Sequence, residues 1–228
     1  MRIASPFLIL ALALATITSC GGASKATVSP SPTDDGGRAR LLVLMQNDLP
    51  GGWRASTHRT EPVAAQEAVK LAACIGAPDP ATAQTADVFG DVFGQGAQTI
   101  TTEGIWLRTQ ADATKAVAAL KGPRTIGCAR ASVRPVVAEQ LRLQGLKATL
   151  RSVVIDRRAM PVVRVVTAFR IVVNLVVSGT PIAVIEDFVV LAHGRGQVRA
   201  TFFNIGVPFD PRLELSLVKK LSAKVSRV

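Results

Sequence analysis

The chain has 228 residues, 48% hydrophobic and 19% charged, with 4% aromatic residues and no Tyr. A chain of this length and apolar content can bury one core of ordinary size, which excludes wholesale disorder and a small cysteine-stapled scaffold. The formal charge of +11, from 27 Lys and Arg against 16 Asp and Glu, directs attention to an anionic partner or surface.

Residues 1–19 read as an export signal. Arg2 makes a basic start, an apolar run covers residues 7–17, and Thr18 and Ser19 precede Cys20. The run is too short for a hydrocarbon core of about 30 Å, so it predicts a secretory signal rather than a transmembrane anchor. Ile17-Thr18-Ser19-Cys20 resembles the bacterial lipobox. That resemblance implies a diacylglycerol on the Cys20 thiol, cleavage just before it, and acylation of the new N-terminus, with palmitate as a typical chain. Two or more chains hold a protein stably at a membrane, each buried CH₂ contributing about 0.8 kcal/mol. Residues 20–37 are then the lipidated Cys and a flexible tether of Gly, Ser, Thr, Pro and Asp, reaching roughly 20 to 25 Å. Residues 38–228 are a single α+β domain on the extracytoplasmic side.

A short helix is predicted over residues 36–49, with Leu41, Leu42, Leu44 and Met45 as its apolar side, ending at Pro50-Gly51-Gly52 before Trp53. A second covers residues 62–74, with Pro62 in its first turn. Residues 87–94 repeat Asp-Val-Phe-Gly twice and read as a strand or hairpin limb, and residues 99–109, rich in Thr, Ile and Trp, as a strand. An Ala-rich helix over 110–121 and another over 126–143, with Pro135 inside it, follow. With Cys20 assigned to lipid, Cys74 and Cys128 form a pair, and outside the cytoplasm such a pair predicts a disulfide. No spacing of Cys and His suggests a metal site.

Beyond Gly145 the chain becomes Val-rich, with strands predicted over about 149–156, 162–178, 182–193 and 197–206. Asp210 and Pro211 start a last helix with the stripe Leu213, Leu217, Leu221, Val225. The expected fold class is therefore α+β: an antiparallel sheet of about five or six strands packed by helices, ending in a β-meander and a C-terminal helix. Residues 162–178 are not read as a membrane span, because Arg164, Arg170 and Asn174 interrupt them.

Period-two geometry, with Gly179-Thr180 as the first hairpin loop, sorts the meander into two faces. One carries Phe169, Ile171, Val173, Val184, Phe188 and Phe203 and is the expected seat of the helices. The other mixes Arg164, Arg170 and Asp187 with Phe202 and aliphatic residues. Those four are candidate ligand contacts, cationic for an anionic head and aromatic for an apolar body. The same pattern also fits a half-solvated outer face on which Arg170 pairs diagonally with Asp187.

Residues 131–228 hold 15 basic against 6 acidic residues, so they carry +9, with Lys219, Lys220, Lys224 and Arg227 on the last helix. This suits anionic lipid heads or cell-wall polymers, or simply a solvated helix face. Nucleic acid is not expected, since the basic charge is not interleaved with stacking aromatics. No catalytic motif is present: there is no Gly-x-Ser-x-Gly, His-Glu-x-x-His or phosphate-binding loop. Glu186 and Asp187 are adjacent on one strand and point to opposite faces. His58 and His193 read as plain surface residues.

Several of these segments together resemble a known family. They are Leu49-Pro50-Gly51-Gly52-Trp53, Cys74 with Gly76, Arg124 to Cys128, Phe188 to Leu191, Gly194-Arg195-Gly196, Ala200-Thr201-Phe202-Phe203 and Pro208-Phe209-Asp210. Following a lipobox and tether, they make the chain similar to actinobacterial sensor-domain lipoproteins, relatives of the extracellular sensor domain of the mycobacterial kinase PknH. The resemblance covers most of residues 38–228. It implies an antiparallel sheet flanked by helices and a cleft for an unidentified ligand. The chain differs from the kinase branch in lacking a second disulfide and a kinase segment. The expected function is a non-catalytic extracytoplasmic lipoprotein, cofactor-free, sensing or carrying a small amphiphilic or anionic envelope molecule. The alternative is a structural or protein-docking envelope lipoprotein without a small-molecule site.

Overall fold

The computed structural model describes residues 34–58, 62–143 and 147–228. The stretch read as an export signal, Cys20 and most of the stretch assigned to the tether lie outside the described residues. Alternating Val, Ile and Phe drive the second half into four long strands, β5 (Ala148–Arg157), β6 (Val165–Val177), β7 (Thr180–His193) and β8 (Gly196–Ile205). They form the expected antiparallel meander. β4 (Gln98–Leu107) pairs with β8 on one edge and receives β2 (Gln84–Phe89) and β3 (Val92–Gln95) on the other. With β1 (Arg54–Ser56), the sheet has eight strands in the order β1-β3-β4-β8-β7-β6-β5, with β2 beside β4. The two strands beyond the expected six have simple causes. The repeated tetrapeptide is broken between β2 and β3, although Gly90 N–H still donates to the Thr102 carbonyl at 2.8 Å. β1 has only three residues, too few to show a period.

The first hairpin loop is Ser178-Gly179, one residue earlier than predicted, because Val177 faces Thr180. Both loop residues take positive φ, 50° and 85°, which glycine and small polar residues tolerate and a β-branched Thr does not. The shift preserves the parity of facing residues, so the two faces contain the residues expected of them except at the start of β6, where a bulge between Val165 and Thr167 turns Val165 to the α6 core.

Helices cover both faces. Over one lie α2 (Pro62–Ile75), α4 (Gln110–Lys121) and α5 (Thr125–Leu143), with α3 (Pro80–Ala83) a single turn between α2 and β2. Val133, Val137 and Leu141 of α5 pack on Ile155, Phe169, Ile171, Val173 and Phe203. Over the other lie α1 (Asp35–Leu42) and α6 (Pro211–Val225). Leu217, Leu221 and Val225 of α6 share a core with Val189, Leu191, Val198 and Phe202. The mixed face is therefore not the open or half-solvated surface that the sequence suggests. Its β7–β8 half supplies the apolar seat that the stripe of α6 requires. No helix among the described residues is long and apolar enough to cross a membrane.

The N-terminal end of the domain also differs from the prediction. Asp34 caps α1, accepting from Gly37 N–H. Asp35 accepts from the Thr85 hydroxyl at 2.7 Å and pairs with Arg195 at 3.0 Å, and these contacts hold its carboxyl below the usual aspartate range. The folded part thus reaches at least four residues into the stretch assigned to the tether. α1 stops at Leu42 rather than running to 49, because the Leu44 N–H turns to the Thr102 hydroxyl at 3.0 Å. That break buries Leu42 and Leu44 but leaves Leu41 and Met45 exposed.

α1 seats on β4 at Gly104. A Cβ there would lie 2.0 Å from the Ala39 carbonyl oxygen, so only glycine allows this approach. Gly104→Ala is expected to cost about 1 to 3 kcal/mol in urea denaturation by lifting α1. Unchanged stability would mean that α1 does not rest on β4.

An amphipathic cleft beneath α2, α4 and α5

Three helices meet one sheet face, and alanines are prominent among the residues they turn toward it. α4 offers Ala116 and Leu120, α5 offers Ala129, and α2 offers Leu71, Ala72 and Ile75. The floor is Ile155, Phe169, Ile171 and Phe188. Alanines cannot fill the gap between helix and sheet, and a cavity of about 100 Å³ remains. Cys74 and Cys128 form a disulfide with Cα atoms 5.8 Å apart, joining α2 to α5 beside Ile75 and Ala129 at the rim. Arg157 holds the end of α4. Its guanidinium donates to the Gly122 carbonyl at 2.8 Å and lies 5.1 Å from the Phe169 ring centroid, a cation placed where a helix C-terminus attracts one.

One end of the cleft is polar. β8 turns Gln197, Arg199 and Thr201 toward the helices and Val198, Ala200 and Phe202 toward α6. Gln197 is 4% exposed, lines the cleft, and its Nε2 has no hydrogen-bond partner. Arg199 also lines the cleft and pairs with Glu103 at 3.3 Å. Burial pushes the Glu103 carboxyl well above the ordinary glutamate range, Asp87 pushes the same way, and Arg199 only partly opposes them. Arg199 and Phe188 continue into a smaller pocket with His58, Phe89, Thr101, Glu103 and Thr201. His58 stacks on Phe89 at 4.2 Å, and burial lowers its pKa against the pull of Asp87. It is half-buried rather than the plain surface residue expected. Asp87, in the first copy of the repeat, sits on β2 near Glu103. Among the described residues, no three His, Cys, Asp or Glu side chains gather as metal ligands would.

The four contacts predicted on the opposite face are not brought together into one site. Arg170 donates to both Asp187 oxygens at 2.8 and 2.7 Å, directly across the strand pair rather than diagonally. Arg158 reaches Asp187 and Glu214 of α6, each at 2.8 Å. Asp187 is fully buried and belongs to an ion network clamping β6, β7 and α6. Phe202 is also fully buried, its ring 5.3 Å from Phe209, which in turn lies 6.0 Å from Trp53. Arg164 stands apart, exposed, at φ 71° before β6, with Nε 3.4 Å from the Ser226 hydroxyl. Arg170 and Asp187 come together as structure, while Arg164 and Phe202 join neither them nor each other. Sequence reasoning missed Gln197, Arg199 and Glu103. The alternation of β8 was the available signal, since it sends three polar residues to the face assigned to the helices.

Glu186 faces that same side. It is 1% exposed, neither carboxylate oxygen has a partner, and burial raises its pKa to about 8. Between the ordinary value near 4.5 and about 8 the folded state holds a proton that the unfolded state has lost. Stability should therefore fall as pH rises through that window, by at most about 1.4 kcal/mol per pH unit. Glu186→Gln should flatten the slope, as followed by urea midpoints from pH 5 to 8. An unchanged slope would show that Glu186 is not its source.

Fold and cleft together define an antiparallel α+β sheet protein, helix-covered on both faces, with an amphipathic cavity on one of them. No protein-family model matches the chain, and no curated protein matches it significantly.

Proposed function

We propose that this protein is a membrane-anchored extracytoplasmic lipoprotein whose domain binds or senses an envelope ligand without catalysis. The observation that carries the proposal is the cleft, with apolar walls leading to Gln197 and Arg199 at one end. Concave, mostly apolar sites with a few convergent polar groups are the usual form of a small-molecule site. The polar side chains of the cleft favour binding over chemistry: the Thr125 hydroxyl is committed to backbone carbonyls at the end of α4, and among the described residues lining the cleft no nucleophile lies beside a base. The signal, the lipobox at Cys20 and the similarity to sensor-domain lipoproteins support the location.

Native mass spectrometry of the exported full chain tests the binding role, and a co-purifying adduct is expected. A clean apo mass, with no thermal shift across envelope lipids and glycans, would favour a structural or protein-docking lipoprotein. For the anchor, Cys20→Ala should release the protein to the medium. Retention in the membrane fraction would contradict lipidation.

A further inference from the structure

We infer that the cleft holds a single-chain amphiphile with an anionic oxygen head, the head on Gln197 and Arg199 and the chain running between α2, α5 and the sheet. This deepens the binding proposal above and rests on it. Three observations define the occupant. The first is Gln197, whose amide N–H is buried at the cleft with nothing to donate to. Native proteins satisfy such donors, so an acceptor belongs there. The second is Arg199, two residues on along β8 and therefore on the same face. Its one ion-pair partner among the described residues is Glu103. Glu103 accepts from Nη1 of the guanidinium at 3.3 Å, and burial pushes its carboxyl well above the ordinary glutamate range. A cation facing apolar walls is complemented by an anion, and a guanidinium recognises carboxylate or phosphate oxygens best.

The third observation is the size and chemistry of the remaining space. Leu71, Ile75, Leu120, Phe169 and Ile171 surround it. A cavity of about 100 Å³ holds roughly seven to ten water-sized groups. That suits one alkyl chain rather than the two of a diacyl lipid.

Isothermal titration of the full exported chain in neutral detergent, with decanoate, decyl phosphate and uncharged decanol, tests the assignment. The two anions should bind about tenfold or more tighter than decanol, a difference worth about 1.4 kcal/mol. The tighter of the two identifies a carboxylate or a phosphate source. Arg199→Gln should abolish the preference, bringing the two anions down to the affinity of decanol. If that variant loses its circular dichroism, Gln197→Met, which removes the buried donor, should weaken binding of both anions, and unchanged anion affinity would overturn the head assignment. Ala129→Phe, which fills the cleft, should weaken all three. Equal affinity for all three probes, or a preference that survives Arg199→Gln, overturns the anionic head while leaving the binding role intact. No binding of any probe, together with a clean apo mass, overturns both.

Discussion

Asp187→Ala should destabilise the domain by about 3 to 5 kcal/mol, the range for removing one partner of a buried ion pair. Asp187 is fully buried, accepts two hydrogen bonds from Arg170 and forms an ion pair with Arg158, which donates its hydrogen bond to Glu214. Its loss leaves two guanidinium groups sharing the single carboxyl of Glu214, which burial already pushes up in pKa. The uncompensated positive charge produces the effect, and a control separates it from lost packing. Asp187→Leu combined with Arg170→Leu should cost less than Asp187→Ala alone, because an apolar pair replaces the ion pair. Urea denaturation with an unchanged m-value is the measurement. A loss under about 1 kcal/mol for Asp187→Ala would show that the network does not clamp α6 to the sheet.

The second large effect concerns the bridge. Cys74 and Cys128 are 54 residues apart in sequence, and closing such a loop contributes about 4 kcal/mol on the chain-entropy model. The double variant Cys74→Ala, Cys128→Ala should therefore melt about 10 °C lower, at 2 to 4 °C per kcal/mol for a domain of this size. Reductant should lower the melting temperature of the parent similarly and leave the variant alone. The unreduced intact mass should lie about 2 Da below the dithiol, the two hydrogens lost on bridging. A parent insensitive to reductant would mean that the bridge contributes nothing. Because the bridge joins the two helices that wall the cleft, any ligand of the cleft should bind more weakly to the double variant.

Much of this architecture is legible in residue order. Val and Ile alternation places β5 to β8. Apart from Val165, which a bulge in β6 turns to the other side, the parity of facing positions sorts their side chains even with the Ser178-Gly179 loop misplaced by one residue, because a shift of two in the facing sum keeps the period. Asp210 and Pro211 start α6, the Leu217, Leu221, Val225 stripe gives its buried side, and simple counting pairs Cys74 with Cys128. These are local or combinatorial properties, carried by side-chain spacing and backbone chemistry within a few residues.

The site is legible only in part. An amphipathic stripe shows that a helix buries one side, not what it lies against, so nothing in residues 211–225 announced that α6 would cover Phe202 and Asp187. The cleft arises from what Ala72, Ala116 and Ala129, on three separate helices, fail to fill over Phe169 and Phe188. Empty space has no residue to mark it. The sequence by itself therefore determined the α+β class, the strand faces, the capped final helix and the cysteine pair, because each depends on spacing along the chain. Only the tertiary structure decided which sheet face would be sealed and where a cavity would end on Gln197 and Arg199. Both follow from the packing of segments distant in the chain, where volume and burial rather than periodicity set the outcome.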